Sequence, residues 1–219
     1  MAKSLLTKNQ KNFLDFFNNQ PLLYKNFYFS GGTALSEYYL RHRFSEDLDF
    51  FSENEINSND LNLFLAAHKK AFCAKHIQFT QSFNRNIFFA KFENDNEELK
   101  IEFTYYPFSR LDETRHDKNM QIDSIVDIAV NKAFTLSQQA RGRDYFDIYA
   151  IHKKYNFDFI ELLKKARQKF DYPINYIELG KNLLKVKTFL DDPILIKSIS
   201  RQKIENYFLT LAGQIDILK

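Results

Sequence analysis

The first half of the chain alternates short apolar runs with polar turns, which predicts strands with few helices. Residues 5–18 carry the 3.6-residue periodicity of an amphipathic helix. Gly31-Gly32 predicts a turn leading into a helix over residues 33–41, and Asp60 is expected to cap another helix that reaches about residue 74. Aromatic-rich or alternating runs predict strands at residues 24–30, 48–51, 77–82, 86–92 and 99–105.

The second half has a different periodicity. Apolar residues recur every three or four positions, which is typical of helices packed on one face. The predicted helices cover residues 123–136, 143–153, 159–170, 175–189 and 198–218. The change falls near residue 120, so the sequence predicts an α+β fold with an α/β domain over 1–120 and an all-helical domain over 121–219.

Composition narrows the class of protein. With 219 residues, 44% hydrophobic and 27% charged, the chain can bury a core, and its one cysteine, Cys73, excludes an internal disulfide. No signal-peptide pattern and no apolar run of about 18 residues is present, so we expect a cytoplasmic protein with no membrane segment. Residues 1–120 hold 15 basic and 16 acidic side chains, and residues 121–219 hold 16 and 12. That basic second half either attracts phosphates or is simply a set of solvated helix surfaces.

Carboxylates on two predicted strands form the first candidate site. Asp47 and Asp49 alternate along one strand and so project from the same face. Two carboxylates directed at one point suit a hard divalent cation, typically Mg²⁺. Glu102 lies on another predicted strand and becomes a third carboxylate if the two strands are neighbours. The alternative is that these acids are ordinary solvated side chains at exposed strand positions.

Other candidates are a glycine pair and two helical motifs. Gly31-Gly32 between a strand and a helix either admits an anion close to the backbone or makes a tight turn. Lys132 lies on the apolar stripe of its helix, where it needs a partner, an anionic ligand or a route to solvent. Asp144 and Asp147 share a helix face, and an ion pair between Arg143 and Asp147 is the structural alternative to a functional role.

Taken together and in this order, these motifs resemble a known family. The run from Ser30-Gly-Gly-Thr33 to Asp47-Leu-Asp49 resembles the nucleotidyltransferase signature of a glycine turn, a short helix and Asp-x-Asp on a strand. Lys132 followed by Arg143-Asp-Tyr-Phe-Asp147 narrows the resemblance to the AbiEii/AbiGii-type nucleotidyltransferase toxins. The resemblance implies a polymerase-β-like domain, with a mixed sheet and flanking helices, followed by a helical domain that completes the active-site cleft.

The resemblance also implies roles for individual residues. It makes Asp47, Asp49 and Glu102 the ligands of Mg²⁺ or Mn²⁺, and it makes Lys132 and Asp147 further catalytic residues. Contacts to a nucleoside triphosphate fall to Ser30, Gly31, Gly32, Thr33, Lys132, Arg143 and Asp144. The expected reaction is transfer of a nucleoside monophosphate to an acceptor, with RNA such as a tRNA end favoured and an antitoxin as a possible protein partner. The alternatives are a degenerate fold that acts as a binding module and an Asp-x-Asp sugar-nucleotide glycosyltransferase.

Overall fold

The computed structural model describes residues 4–93, 98–189 and 193–215, and these residues group into two units by their contacts. The first unit comprises residues 1–39 and 45–124, and the second comprises residues 40–44 and 125–219. The chain therefore enters the second unit briefly at Leu40–Phe44 before it returns to complete the first. Residues 94–97, between the predicted strands at 86–92 and 99–105, and the end of the last predicted helix, residues 216–218, lie outside the described residues.

A mixed seven-stranded sheet forms the centre of the first unit. Its strands are β1 (Tyr28–Ser30), β2 (Leu48–Ser52), β3 (Ala74–Ser82), β4 (Arg85–Phe92), β5 (Glu98–Tyr105), β6 (Arg115–Asp117) and β7 (Met120–Ile122). They lie in the order β3-β4-β5-β2-β1-β7-β6. The β2–β5 and β1–β7 pairs are parallel, and the other pairs are antiparallel. The two short strands β6 and β7 were not predicted from the sequence.

Three helices of the first unit lie where they were predicted, with different ends, and the short helix over Pro21–Tyr24 was not predicted. They are α1 (Lys8–Asn18), α2 (Pro21–Tyr24), α3 (Gly31–Ala34) and α4 (Ser58–His68), and the last continues as a 3₁₀ turn (Lys69–Phe72). Asn57, and not the predicted Asp60, caps α4, because its side chain accepts hydrogen bonds from the amides of Asn59 and Asp60. The predicted strand over residues 24–30 is shorter, because α2 takes Tyr24 and β1 begins only at Tyr28.

Phenylalanine rings fill the core on one face of this sheet. Phe50 on β2 stacks on Phe17 of α1 at 4.4 Å and on Phe103 of β5 at 5.1 Å between ring centroids. All three rings are fully buried. Successive strand residues face opposite ways, so burying Phe50 and Phe103 turns their neighbours Asp49 and Glu102 to the other face of the sheet. Hydrophobic packing thus decides which face carries the candidate site.

The second unit is built from helices and one isolated β-bridge between Arg43 and Leu195. Its helices are α5 (Ile125–Gln138), α6 (Gly142–Tyr155), α7 (Phe159–Phe170), α8 (Tyr176–Leu184), which ends in a 3₁₀ turn (Lys185–Lys187), and α9 (Arg201–Ile215). The buried amide of Asn182 donates to the carbonyls of Leu136, Ser137 and Gln138, which are left without helical partners at the end of α5. None of the described helices has the length and apolar character needed to cross a membrane.

Candidate active site

At the junction of β1 and α3, the backbone of Gly31 lies close to the carboxylate of Asp49. Gly31 has a φ of +73°, and a Cβ at this position would lie 2.1 Å from Oδ2 of Asp49. Only a residue without a side chain fits against this carboxylate. The helix begins earlier than predicted, because α3 starts at Gly31 directly after β1, and it then widens into a π-helical turn over Leu35–Leu40.

The two serine and threonine hydroxyls of this segment are used within the protein. The buried Ser30 hydroxyl donates to Oδ2 of Asp123 at 2.7 Å, and the Thr33 hydroxyl donates to the main-chain oxygen of Asp47 at 2.5 Å. The second bond ties the start of α3 to the residue that precedes β2. Thr33 thus holds the main chain at Asp47, and Ser30 is tied to Asp123; neither contact was predicted from the sequence.

The three predicted metal-ligating carboxylates come from two adjacent strands. β5 lies directly beside β2, and Asp49 is paired in register with Glu102. Asp47 lies one residue before β2, and Glu102 is 5% exposed. We refer to Asp47, Asp49 and Glu102 as the carboxylate edge. Among the described residues no group of three or more His, Cys, Asp or Glu side chains is already arranged to hold a metal ion.

Basic side chains that sequence reasoning missed compensate the carboxylate edge. Arg85 donates from Nε and Nη2 to the two oxygens of Glu102, each at 2.5 Å, and the Thr104 hydroxyl donates to the same carboxylate at 3.0 Å. Lys100 Nζ lies 3.2 Å from Asp47 Oδ2 and 3.2 Å from Glu102 Oε2. Lys100 could have been found from its position two residues before Glu102 on the same strand face, whereas Arg85 depends on the register of β4 with β5.

These contacts set the ionisation of Glu102 and Lys100. Burial raises the pKa of the Glu102 carboxyl, but the hydrogen bonds and charge of Arg85, together with the charge of Lys100, outweigh it and lower the pKa below its ordinary value. Burial lowers the pKa of the Lys100 ammonium, but the charges of Asp47, Glu102 and Asp49 raise it overall. Both groups are therefore charged at neutral pH.

A second group of charges, which we call the buried cluster, lies wholly within the second unit. It consists of His42, Arg43, Lys132, Asp144 and Asp147. Asp147 is completely buried and receives bonds from Arg43 Nε at 2.6 Å, Arg43 Nη2 at 2.9 Å and His42 Nε2 at 2.7 Å. The predicted guanidinium partner, Arg143, is not the one observed: Arg43 takes its place from a distant part of the chain.

Lys132 faces inward, and two aspartates hold its ammonium. Nζ lies 2.8 Å from Oδ1 of Asp144 and 2.7 Å from Oδ2 of Asp147. Oδ2 of Asp144 accepts in turn from Nε of Arg141 at 3.1 Å. Arg143 is half-buried and forms no ion pair with the described residues. Lys132 thus does not extend to solvent, which was one of the alternatives considered for it. Arg143 is the basic side chain of this motif that no carboxylate of the described residues pairs with.

Opposing effects determine the pKa values of the two buried aspartates. Burial by itself raises the pKa of the Asp147 carboxyl, but the charges of Lys132 and Arg43 and the hydrogen bonds from Arg43 and His42 hold it well below its ordinary value. Burial likewise opposes ionisation of Asp144, and the charges of Lys132 and Arg141 lower its pKa. Both aspartates are therefore ionised and compensated inside the second unit.

Comparison with known proteins agrees with the fold and the motifs. A curated protein of Aquifex aeolicus with no assigned function is 29% identical over 147 residues, which are 66% of each chain. The chain thus spans about two thirds of that relative. Two solved Helicobacter pylori structures share the fold at 24% identity: JHP933, with a TM-score of 0.59 over 94% of this chain and 90% of that one, and a candidate nucleotidyltransferase, with 0.60 over 94% and 92%.

The family assignment rests on most of the chain. The family profile described as nucleotidyl transferase AbiEii toxin of a type IV toxin–antitoxin system matches residues 14–211. The match includes the segment from Ser30 to Thr33, the carboxylate edge and the buried cluster. The chain belongs to the AbiEii family of nucleotidyl transferase toxins.

Proposed function

We propose that this protein is a metal-dependent nucleotidyltransferase that moves a nucleoside monophosphate from a nucleoside triphosphate to an acceptor. The observation that carries the proposal is the placement of Asp47 and Asp49 at the start of β2, with Gly31 shaped to admit the Asp49 carboxylate. This placement occurs in a chain that belongs to a nucleotidyl transferase family. Nucleotidyl transfer depends more on charge neutralisation and positioning than on covalent chemistry, which suits an acidic site of this kind.

The carboxylate edge fits a divalent cation through two of its members. Mg²⁺ in such enzymes is usually held by one or two carboxylates together with substrate phosphates, so a complete cage of three carboxylates is not required. Asp47 and Asp49 would hold the ion, and when bound it would neutralise charge on the triphosphate. Glu102 remains the proposed third ligand, and it would have to share its oxygens with Arg85 and Lys100.

The other proposed contacts to the triphosphate come from main-chain groups around Gly31 and Gly32 and from the side chain of Lys132. Because the hydroxyls of Ser30 and Thr33 bond within the protein, the proposed contacts of this segment fall to the main chain around Gly31 and Gly32. Lys132 has three N–H donors and uses two of them on Asp144 and Asp147. A phosphate contact by Lys132 would therefore add to these ion pairs, and Asp144 and Asp147 would act by orienting the ammonium.

RNA, such as a tRNA end, is the proposed acceptor. The support is the excess of basic side chains in residues 121–219 and the half-buried, unpaired Arg143 on α6. Membership of a toxin family supports a toxin role with an antitoxin partner. A sugar-nucleotide glycosyltransferase has no comparable support, because Asp-x-Asp was the single feature that favoured it. A degenerate fold that only binds a partner is the alternative that experiment must address.

The test is transfer of label from each α-labelled nucleoside triphosphate to total cellular RNA in the presence of Mg²⁺. Wild type is compared with Asp49→Asn, which keeps the size of the side chain beside Gly31 and removes its charge. Lys91→Met is the control, because Lys91 is exposed and lies away from the carboxylate edge on β4. We expect labelled RNA with wild type and Lys91→Met and none with Asp49→Asn.

Each other outcome has a specific meaning. Equal labelling by Asp49→Asn would show that the metal assignment is wrong. Label in protein or small molecules, but not in RNA, would retain the transferase and replace the acceptor. If no label moves to any acceptor and Mg²⁺–nucleotide does not bind, the degenerate binding module would become the better description.

A further inference from the structure

Lys100 and Arg85 compensate the carboxylate edge in unequal ways. Arg85 forms two hydrogen bonds to Glu102, and Thr104 adds a third. Glu102 therefore keeps strong partners even without Lys100. Asp47 has a single ion pair with the described residues, and that pair is with Lys100. Lys100 is thus the main counter-ion of Asp47 and only a secondary counter-ion of Glu102.

The Lys100 side chain is also placed where it can exchange between these two carboxylates. Its Nζ is 3.2 Å from an oxygen of each, and about a quarter of the side chain is exposed to solvent. The Asp47 half of this arrangement is a single contact of 3.2 Å, so it is easier to break than the two hydrogen bonds between Arg85 and Glu102. After such a break Lys100 still has Glu102 as a partner, because Arg85 and Thr104 keep that carboxylate in place.

We infer that Lys100 is a built-in counter-ion that neutralises Asp47 in the metal-free protein and that a divalent cation must displace from Asp47. The inference rests on the proposed metal role of Asp47 and Asp49. An ammonium and a divalent cation repel each other and compete for the same carboxylate oxygens. Lys100 therefore weakens metal binding in the absence of nucleotide and keeps the carboxylates from repelling one another. Glu102, which Arg85 and Thr104 hold in place, is the receiving partner for the displaced ammonium.

The experiment measures binding of Mn²⁺ alone to the full chain, without nucleotide, by electron paramagnetic resonance of the free ion. Lys100→Met removes the charge and retains an apolar stem, and Lys100→Gln is a second variant in case the first folds poorly. Lys100→Arg keeps the charge, and Lys91→Met removes a lysine charge on the neighbouring strand. We expect about fivefold tighter Mn²⁺ binding for Lys100→Met and Lys100→Gln, the effect of removing one partly exposed like charge. Neither control should bind more tightly than wild type.

The same measurement on Asp49→Asn separates this inference from the proposed function. If Asp49→Asn loses Mn²⁺ while Lys100→Met binds as wild type does or more weakly, Lys100 is not a competitor and the metal site stands. If Asp49→Asn binds Mn²⁺ as wild type does, the metal site and the inference are both wrong. If wild type shows no binding, a gain in Lys100→Met supports the inference and its absence overturns it. Circular dichroism spectra identical to wild type are required of each variant.

Discussion

Asp49 in the first unit and Asp147 in the second are surrounded in different ways. Asp147 is wholly buried, and Arg43, His42 and Lys132 direct donors at both of its oxygens. Asp49 is half-buried and lies against Gly31, beside carboxylates whose counter-ions, Lys100 and Arg85, are themselves partly exposed. The comparison teaches that the charge of Asp147 is compensated inside the protein, whereas Asp49 lies at a partly exposed edge, as its proposed metal role requires.

The largest effect that this comparison predicts is on catalysis. We expect Asp49→Asn to reduce the transfer rate by about 10³-fold, equivalent to about 4 kcal/mol, because the proposed metal would lose a charged ligand. Its free energy of unfolding should change by less than about 1 kcal/mol, since the side chain is not part of the core. Label transfer and urea unfolding measured on the same preparation check both halves. A large loss of stability would contradict the contrast with Asp147.

The next effect is on the stability of the second unit. Asp147→Asn should lower the free energy of unfolding by about 3 kcal/mol, because it leaves Lys132 and Arg43 buried with insufficient negative charge. Urea unfolding measures the loss. The matched control is Asp171→Asn, since Asp171 is exposed at the end of α7 with a φ of 45°, which asparagine adopts readily. The control should stay within about 0.5 kcal/mol of wild type. Equal effects of the two substitutions would mean that the buried cluster contributes little to stability.

A smaller effect is expected at the glycine that faces Asp49. Gly31→Ala should cost about 2 kcal/mol of stability, because a Cβ would collide with the Asp49 carboxylate and the positive φ is strained for alanine. Transfer activity should fall with it, since the carboxylate must move. Gly213→Ala on α9 is the control: its Cβ would meet nothing within 4 Å, and alanine in a helix should stabilise by up to about 1 kcal/mol. Unfolding and activity assays on both variants test the difference. Full activity in Gly31→Ala would show that the close approach is not needed.

The smallest effect concerns pH. The folded-state pKa of Asp147 is lowered, so its ion pairs contribute fully above the ordinary pKa of 3.8 and lose their contribution as pH falls toward the folded-state value. The stability difference between wild type and Asp147→Asn should therefore be equal at pH 7 and pH 5. At pH 3 it should be smaller by about 1 kcal/mol. Urea unfolding at the three pH values measures it. A difference that grows toward low pH would contradict the assigned direction.

Local pattern and motif order were sufficient to predict much of this molecule. The helix over Phe159–Phe170 was predicted to the residue, because its apolar stripe and its cap at Asp158 are local features. Glu102 was expected to join Asp47 and Asp49 if their two strands were neighbours. The parallel pairing of β2 with β5 makes them neighbours. Family membership followed from residues that lie close together in the sequence.

Contacts between distant parts of the chain were beyond the sequence patterns. Arg43 is 104 residues from Asp147, and no periodicity indicates that this arginine, and not Arg143, is the partner of the aspartate. Arg85 reaches Glu102 only through the register of β4 with β5. The strands β6 and β7 have three residues each, too few to show an alternating pattern. These features depend on tertiary geometry that one sequence does not display.

The short passage of Leu40–Phe44 into the second unit has a consequence for how the protein is made. Arg43 and His42 leave the ribosome about one hundred residues before Asp147, so a growing chain holds these side chains without their carboxylate. A product cut short before α6 retains Asp47, Asp49 and Glu102 but can never assemble the buried cluster. Completion of the buried cluster is thereby tied to synthesis of α6, and a chain terminated before it would carry the carboxylate edge without this cluster.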